Sequence, residues 1–252
     1  MPTKLPDRIC FRVCRCCNAR CGFCLAPSNG TMVDGDTLVR RLDWLMSHGV
    51  RAFDFCGGEP ALHPDLPQIL AHVHSRHKKT KVTTNGIEIS ASLVSAFRAT
   101  ATRVKVSLHG DRAYHNNMVG CDAFDKTTAN LRELLRVGVS TSIQTTVVAG
   151  GAWVVDWLIE YCLETGVRRL GILPFLPRGN GRRKRDHYGL STAHRAVLGN
   201  HVTTRRRALN GRLDLRWLDL NRRPIPVAEV NGRIILEGPS EASDRVICRI
   251  PD

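Results

Sequence analysis

Two hydrophobic periods take turns along this chain. Leu38, Leu42, Leu45 and Met46 recur at the spacing of one helix face, and Val154, Leu158, Tyr161 and Cys162 repeat it. Between such stretches lie short runs with apolar residues on alternate positions or better, such as RAFDF and RVKVSL. These runs predict strands near residues 8–14, 51–56, 80–84, 103–108, 141–148 and 168–174, with helices filling the gaps. Three times a helical segment closes on Gly-Val and a strand-like run follows at once, at residues 49–50, 138–139 and 166–167. Glycine suits the position just past a helix because positive φ costs it nothing. Asp36 or Thr37 is expected to cap the first helix. HVHSRHKK, residues 72–79, reads as the basic end of the second helix rather than as a metal site.

Strands alternating with helices imply a parallel sheet with right-handed crossovers. Six such units are too few for an eight-unit barrel, which leaves an open partial barrel or a doubly wound sheet. Both architectures put their active site at the carboxyl ends of the strands, and the unusual polar stretches do follow strands: CGGEP, TTNG and SLHGD. After residue 190 the pattern changes. A helix is expected over STAHRAVLGNHVTTRRRAL with Ser191 as its cap, then β segments in RLDLRWLDL and IPVAEVNGRIILEG, with Asn231–Gly232 as a hairpin turn. The expected organisation is an α/β core over 1–190 with a C-terminal α+β extension, 191–252, packed on it.

The chain has 252 residues, enough to bury a core without disulfide staples. No run is long and apolar enough to span a membrane, and residues 1–13 contain no apolar leader segment, so a cytoplasmic location is the default expectation. The net charge of +14 concentrates in RGNGRRKR, residues 178–185, which reads either as solvated surface or as a loop for a phosphate or carboxylate. Ten cysteines in a reducing compartment point to metal or catalysis rather than disulfides, and six of them crowd into residues 10–24.

Within that crowd a single register gives Cys-x3-Cys-x2-Cys: Cys17, Cys21 and Cys24. Three thiolates on one tight loop suit an iron–sulfur cluster or zinc, and with no fourth ligand at a finger spacing one metal position stays open. The loop CNARCGFC follows the first strand, Phe23 precedes the last cysteine, and GGEP follows the second strand. Together with TNG at 84–86, SLHG at 107–110 and the His115 to Gly120 stretch, these motifs resemble the radical S-adenosylmethionine (SAM) enzymes, in the branch with molybdenum-cofactor and peptide-modifying members. The resemblance covers roughly residues 8 to 185 and shows no cysteine-rich SPASM module.

The resemblance implies a partial (β/α)6 barrel in which Cys17, Cys21 and Cys24 hold three irons of a 4Fe–4S cluster and SAM chelates the fourth. Reductive cleavage of SAM, fed by a donor such as flavodoxin or ferredoxin, would give a 5′-deoxyadenosyl radical that abstracts hydrogen. Phe23, Gly57, Gly58, Glu59 and Pro60 would then form part of the cofactor site, the glycines through close backbone approach to SAM and Glu59 through the SAM ammonium. Asn85, Ser107 and Gln144 are further cofactor candidates, and residues 172–174 could pack on adenine. His109, Asp111 and His115 follow the fourth strand and are candidates for acid–base work. Cys10, Cys14, Cys16 and Cys248 could hold a second cluster or serve as buried thiols, and Cys56 faces the expected cavity. For substrate, Arg178, Arg182 and Arg183 suggest a small anionic metabolite such as a nucleotide or sugar phosphate, met in a biosynthetic enzyme. Maturation of a ribosomally made peptide is the alternative, and tRNA modification, resting on charge, is third.

Overall fold

The structure, a computed structural model, describes residues 5–220 and 224–251. The first four residues of the stretch read for a leader lie outside that range. Six βα units come first: β1 (Arg8–Cys14), α1 (Gly35–Ser47), β2 (Ala52–Gly57), α2 (Leu66–Ser75), β3 (Lys79–Thr84), α3 (Ala91–Ala99), β4 (Arg103–Ser107), α4 (Arg112–Val119), α5 (Phe124–Arg136), β5 (Thr141–Val147), α6 (Trp153–Thr165) and β6 (Arg169–Pro174). A short α7 (Arg185–Tyr188), a longer α8 (Thr192–Ala208) and four strands follow: β7 (Asp214–Trp217), β8 (Ile225–Ala228), β9 (Arg233–Glu237) and β10 (Arg245–Arg249).

The strands form one sheet in the order β10-β9-β8-β1-β2-β3-β4-β5-β6-β7. All neighbours from β8 through β1 to β7 are parallel, and β9 and β10 are antiparallel additions. The C-terminal segment therefore lengthens both edges, β7 beside β6 and β8 beside β1. The β8–β9 hairpin turns at the expected place, with Gly232 at φ 80°.

Strict alternation explains why this parallel sheet has one polar face. Ile9, Phe11 and Val13 on β1, Phe53 and Phe55 on β2, Val82 on β3 and Val104 and Val106 on β4 are buried in a single core. The apolar stripes of the helices, such as Leu38, Leu42 and Leu45 on α1 and Leu131 and Leu134 on α5, join the same core. The alternate positions carry Arg8, Cys10 and Arg12 on β1, Asp54 and Cys56 on β2, Lys81 on β3, Arg103 and Lys105 on β4, and Ser142 and Gln144 on β5. Arg8 of β1 and Arg216 of β7 line one cavity although five strands separate them in the sheet. The sheet therefore curls into a partial barrel with a polar lumen.

Local signals behave as the sequence implied, with one exception. Gly49, Gly138 and Gly166 take φ of 94°, 79° and 78°, so each Gly-Val pair ends a helix and releases the next strand. Ser191 caps α8, its side chain accepting from the His194 N–H. The first helix is capped not by Asp36 or Thr37 but by Asp34, whose carboxylate accepts from the Thr37 N–H at 2.8 Å. Asp34 has the extended backbone a cap requires, whereas Asp36 already lies inside the first turn. Among the described residues no helix is long and apolar enough to cross a membrane.

Candidate cluster and cofactor site

The cysteine loop leaves β1 at the carboxyl end of the sheet and is clamped from several sides by backbone. Gly57 and Gly58 make the closest approach. A Cβ on Gly57 would stand 2.3 Å from the Cys14 carbonyl, and one on Gly58 would stand 2.1 Å from the Cys16 carbonyl. With no side chains there, the Gly58 N–H donates to Cys14 O at 2.9 Å and the Glu59 N–H to Cys16 O at 2.7 Å. These glycines were expected to admit SAM; their nearest neighbour is the base of the cysteine loop. On the other side the Asn180 N–H donates to Cys24 O at 2.9 Å and its side-chain amide to Cys21 O at 3.2 Å. Gly179 lies so close that a Cβ would meet Cys24 O at 2.3 Å. The Arg20 N–H ties the middle of the loop to Val119 O at the end of α4.

Cys17, Cys21 and Cys24 are each half-buried and free. Burial pushes the Cys17 thiol up to about 11, and burial followed by the charges of Cys24 and Cys17 raises Cys21 further. Thiols so placed are poor nucleophiles, and Cys17 and Cys21 both sense the charge of Cys24. Among the described residues no three His, Cys, Asp or Glu groups close on a single ion. A four-iron cluster takes one thiolate per iron and so asks for separated sulfurs. The buried Nδ2 of Asn18, next to Cys17, has no hydrogen-bond partner. The Asn85 amide lies 2.7 Å from Asn18 Oδ1 and 3.9 Å from Cys17 Sγ. Three thiols with amide N–H groups aimed among them fit the donor set of an iron–sulfur cluster.

Glu59 is fully enclosed. Its carboxylate accepts from Ala61 N–H at 2.9 Å, Thr84 Oγ1 at 2.6 Å and Asn85 N–H at 2.6 Å. Burial outweighs these bonds and lifts it to about 7. Pro60 opens the single 3-10 turn that Glu59 caps. In the free protein Glu59 therefore joins the turn after β2 to the TNG turn after β3. Ser107 ends β4 beside Gln144, and the Gln144 side chain accepts from Lys105 Nζ at 2.7 Å on the lumen wall.

The acid–base candidates have structural partners. Asp111 caps α4 by accepting from Tyr114 N–H at 2.9 Å. His115 accepts from the His109 N–H at 3.2 Å, and the Thr146 N–H donates to His109 Nδ1 at 3.3 Å. The two imidazoles stack, and Phe23 packs edge-on against His109 with centroids 4.8 Å apart. Burial holds His109 down to about 3 and His115 to about 4, so both stay neutral and form a layer under the loop.

One of the three substrate arginines needs a correction. Arg178 is buried and held by the C-terminal segment: it donates to Gly238 O at 2.8 Å and pairs with both oxygens of Asp244 at 2.8 and 2.9 Å, while its Nε has no hydrogen-bond partner and lies 3.6 Å from Glu237. It locks the 178–185 loop to the C-terminal strands, while Arg182 and Arg183 are exposed on a 3-10 turn. The concentration of positive charge around a cavity lies elsewhere. A space of about 550 Å³ opens at the amino ends of the strands, lined by Arg8, Lys81, Arg103, Lys105, Arg168, Arg169 and Arg216 together with Gln144 and Gly171. Asp54 pairs with Arg8 and Lys81, and Asp214 pairs with Arg169 and Arg216. Among the described residues Arg103 and Arg168 have no carboxylate partner, and Lys105 has the neutral Gln144. Sequence reasoning missed this chamber because its cations come from five separate strands and one loop. The alternation in KTKVTT and RVKVS was its visible trace.

Comparison with known proteins settles the family. Residues 11–151, more than half of the chain, match the Radical SAM superfamily. The chain belongs to the radical SAM superfamily. Radical SAM proteins use a 4Fe–4S cluster and S-adenosylmethionine. A probable GTP 3′,8-cyclase of Sulfurisphaera tokodaii is 26% identical over 68% of this chain and 57% of its own length. The GTP 3′,8-cyclase of Chlorobaculum tepidum is 30% identical over 51% and 41%, and the AdoMet-dependent heme synthase of Methanosarcina barkeri is 26% identical over 71% and 53%. The chain thus spans about half the length of the curated relatives it matches. Among solved structures, Streptococcus suis SuiB bound to precursor peptide SuiA superposes with a TM-score of 0.78 at 18% identity, over 94% of this chain and 60% of SuiB. Native anSMEcpe with bound AdoMet gives a TM-score of 0.71 at 18% identity, over 92% of this chain and 74% of its own. These likenesses establish the radical SAM fold.

Proposed function

We propose that this radical SAM protein acts on a small anionic biosynthetic substrate at the carboxyl end of its barrel, with Cys17, Cys21 and Cys24 as the cluster ligands. The observation that carries the reading is the cysteine loop at that end, three thiols on a turn that Gly57, Gly58 and Asn180 clamp through the backbone. Relatives named GTP 3′,8-cyclase support a nucleotide in particular.

When bound, the cluster and SAM together supply a radical able to abstract hydrogen. The remaining tasks fall to this chain. Asn180, Gly57 and Gly58 hold the loop so that the three thiols present one face. Asn18 and Asn85 offer amide N–H groups beside Cys17. A one-electron donor of the flavodoxin or ferredoxin type completes the requirement.

Anaerobic reconstitution tests the reading. The expected result is about four irons per chain, with 5′-deoxyadenosine formed above the uncoupled background in the presence of nucleotides or sugar phosphates. Cys21→Ala should abolish both. Failure to hold iron sinks the cofactor assignment, and stimulation by peptides alone or by tRNA alone sinks the substrate assignment.

A further inference from the structure

The amino end of a barrel is the end that ordinarily serves stability, with chemistry at the other. Here that end is built against stability. The seven cations of the amino-end chamber share two carboxylates, Asp54 and Asp214, which leaves an excess of five positive charges around about 550 Å³. Every other residue of the lining is uncharged. Like charges held together between walls of low dielectric repel, and the same walls focus their field on the space they enclose.

The cations are graded with depth. Arg8, Arg168 and Arg216 are exposed at the mouth, and Arg103, which opens β4, is half-buried. Lys105 shares a face of β4 with Arg103 and lies two residues further in. Its Nζ donates to the neutral Gln144 Oε1 at 2.7 Å. Burial and then the charge of Lys81 pull Lys105 down to about 8, although Asp54 acts the other way. Arg103 and Arg168 have no carboxylate partner among the described residues. A cation taken out of water beside another cation costs free energy, and no group of this lining offsets it. A bound anion would.

We propose that this chamber is a second ligand site, separate from the cluster end, for an oligophosphate: an anion with two or more linked phosphoryl groups. The charge count selects that class. One phosphate group carries about −1.5 to −2 at neutral pH and leaves most of the excess in place, whereas a diphosphate or triphosphate comes near to neutralising it. The five arginines supply planar forks that meet phosphate oxygens two at a time, and Lys81 and Lys105 supply point charges further in. A space of about 550 Å³ takes a ligand of nucleotide size, so a triphosphate can enter free or as the chain of a nucleotide. The site needs neither cluster nor SAM, and in that it goes beyond the function proposed above.

The test is anaerobic calorimetry on the intact reconstituted protein, titrated in turn with inorganic phosphate, pyrophosphate, inorganic triphosphate and ATP. Triphosphate should bind saturably, and at least about tenfold more tightly than phosphate. Arg103→Met and Lys105→Met should each weaken triphosphate about 10–100-fold, the loss of one charge-assisted hydrogen bond. Ser140→Asp keeps every cation and sets a carboxylate at the exposed mouth, so it should weaken binding without removing a contact. Arg206→Met combined with Arg207→Met, on the exposed side of α8, should leave the affinity within about twofold, since distant surface charge is screened. Cys21→Ala should bind triphosphate as the wild type does. ATP binding as tightly as triphosphate identifies the chain of a nucleotide, and triphosphate binding alone identifies a free polyphosphate; both are the proposed chemistry. The proposal is overturned if the wild type binds no triphosphate saturably, if phosphate binds as tightly, if the three chamber variants leave the affinity unchanged, if the α8 variant weakens it as much as they do, or if binding is lost in Cys21→Ala.

Discussion

Gly58→Ala adds one methyl group and no charge, yet it should dismantle the cluster site. The new Cβ would lie 2.1 Å from Cys16 O and 2.6 Å from Cys16 C. A carbon–oxygen contact tolerates about 3.3 Å, so the two backbones must part by roughly 1 Å. Both neighbours are backbone, so no rotamer change relieves the clash. Parting them breaks the bonds from Gly58 N–H to Cys14 O and from Glu59 N–H to Cys16 O, at 2.9 and 2.7 Å. Each broken bond costs about 1–3 kcal/mol if left unsatisfied, and the overpacking adds about 1–3 kcal/mol. The sum is about 3–9 kcal/mol, which lowers the melting temperature of a domain this size by about 10 °C or more. Anaerobic calorimetry and iron content after reconstitution measure it, with Gly30→Ala as comparison. At Gly30 the backbone φ is +78° but nothing lies within 4 Å, so only the strained backbone is charged, about 1 kcal/mol. A Gly58→Ala protein that keeps its melting temperature within about 2 °C and its full iron, while losing SAM affinity, would refute this argument. It would show that the glycine makes room for SAM instead.

Arg178→Met should destabilise the protein by about 3–5 kcal/mol, because Asp244 and Glu237 lose a buried cation; KM should not change, and a raised KM would return this residue to the substrate site. Arg103→Met and Lys105→Met, in the chamber at the amino ends of the strands, should leave KM unchanged, and a raised KM for an anionic substrate would place the substrate in that chamber. His109 and His115 titrate at about 3 and 4 in the folded chain, below the ordinary 6.5. Their contribution to stability is therefore complete above pH 6.5 and lost as pH falls through 4 and 3. Denaturation midpoints between pH 7 and 4 test the sign, and a His109→Gln protein should show a shallower decline.

What could be read in advance follows from what is local. The periods of α1 and α6, the Gly-Val helix ends and the hairpin at Asn231–Gly232 are encoded within a few residues, and they stand where the sequence put them. The cluster cysteines were selected by spacing, and the structure adds that Asn180, about 160 residues away, pins their carbonyls. Arg178 in RGNGRRKR has structural partners that the sequence did not reveal, because composition suggests a partner but does not identify it. The partners of Arg178 are Gly238 and Asp244, 60 and 66 residues onward, and the loop's glycine is there for Cys24. The lumen was hidden for a similar reason: each strand shows only one or two inward residues, and the curl of the sheet decides which of them meet.

The hairpin of β8 and β9 completes the strand that bears the cysteine loop, and it does so very late. Arg12 pairs with Glu229 and Glu237 across 217 and 225 residues of sequence. At a synthesis rate of roughly 5–20 residues per second, that separation lasts about 10–40 s on the ribosome. Throughout that interval β1 keeps an open hydrogen-bonding edge, Arg12 lacks its carboxylates, and the six cysteines of residues 10–24 are presented on an unfinished sheet. Stable iron loading is therefore expected only after the β8–β9 hairpin has docked on β1, and until then the nascent chain is a client for whatever shields exposed thiols and strand edges.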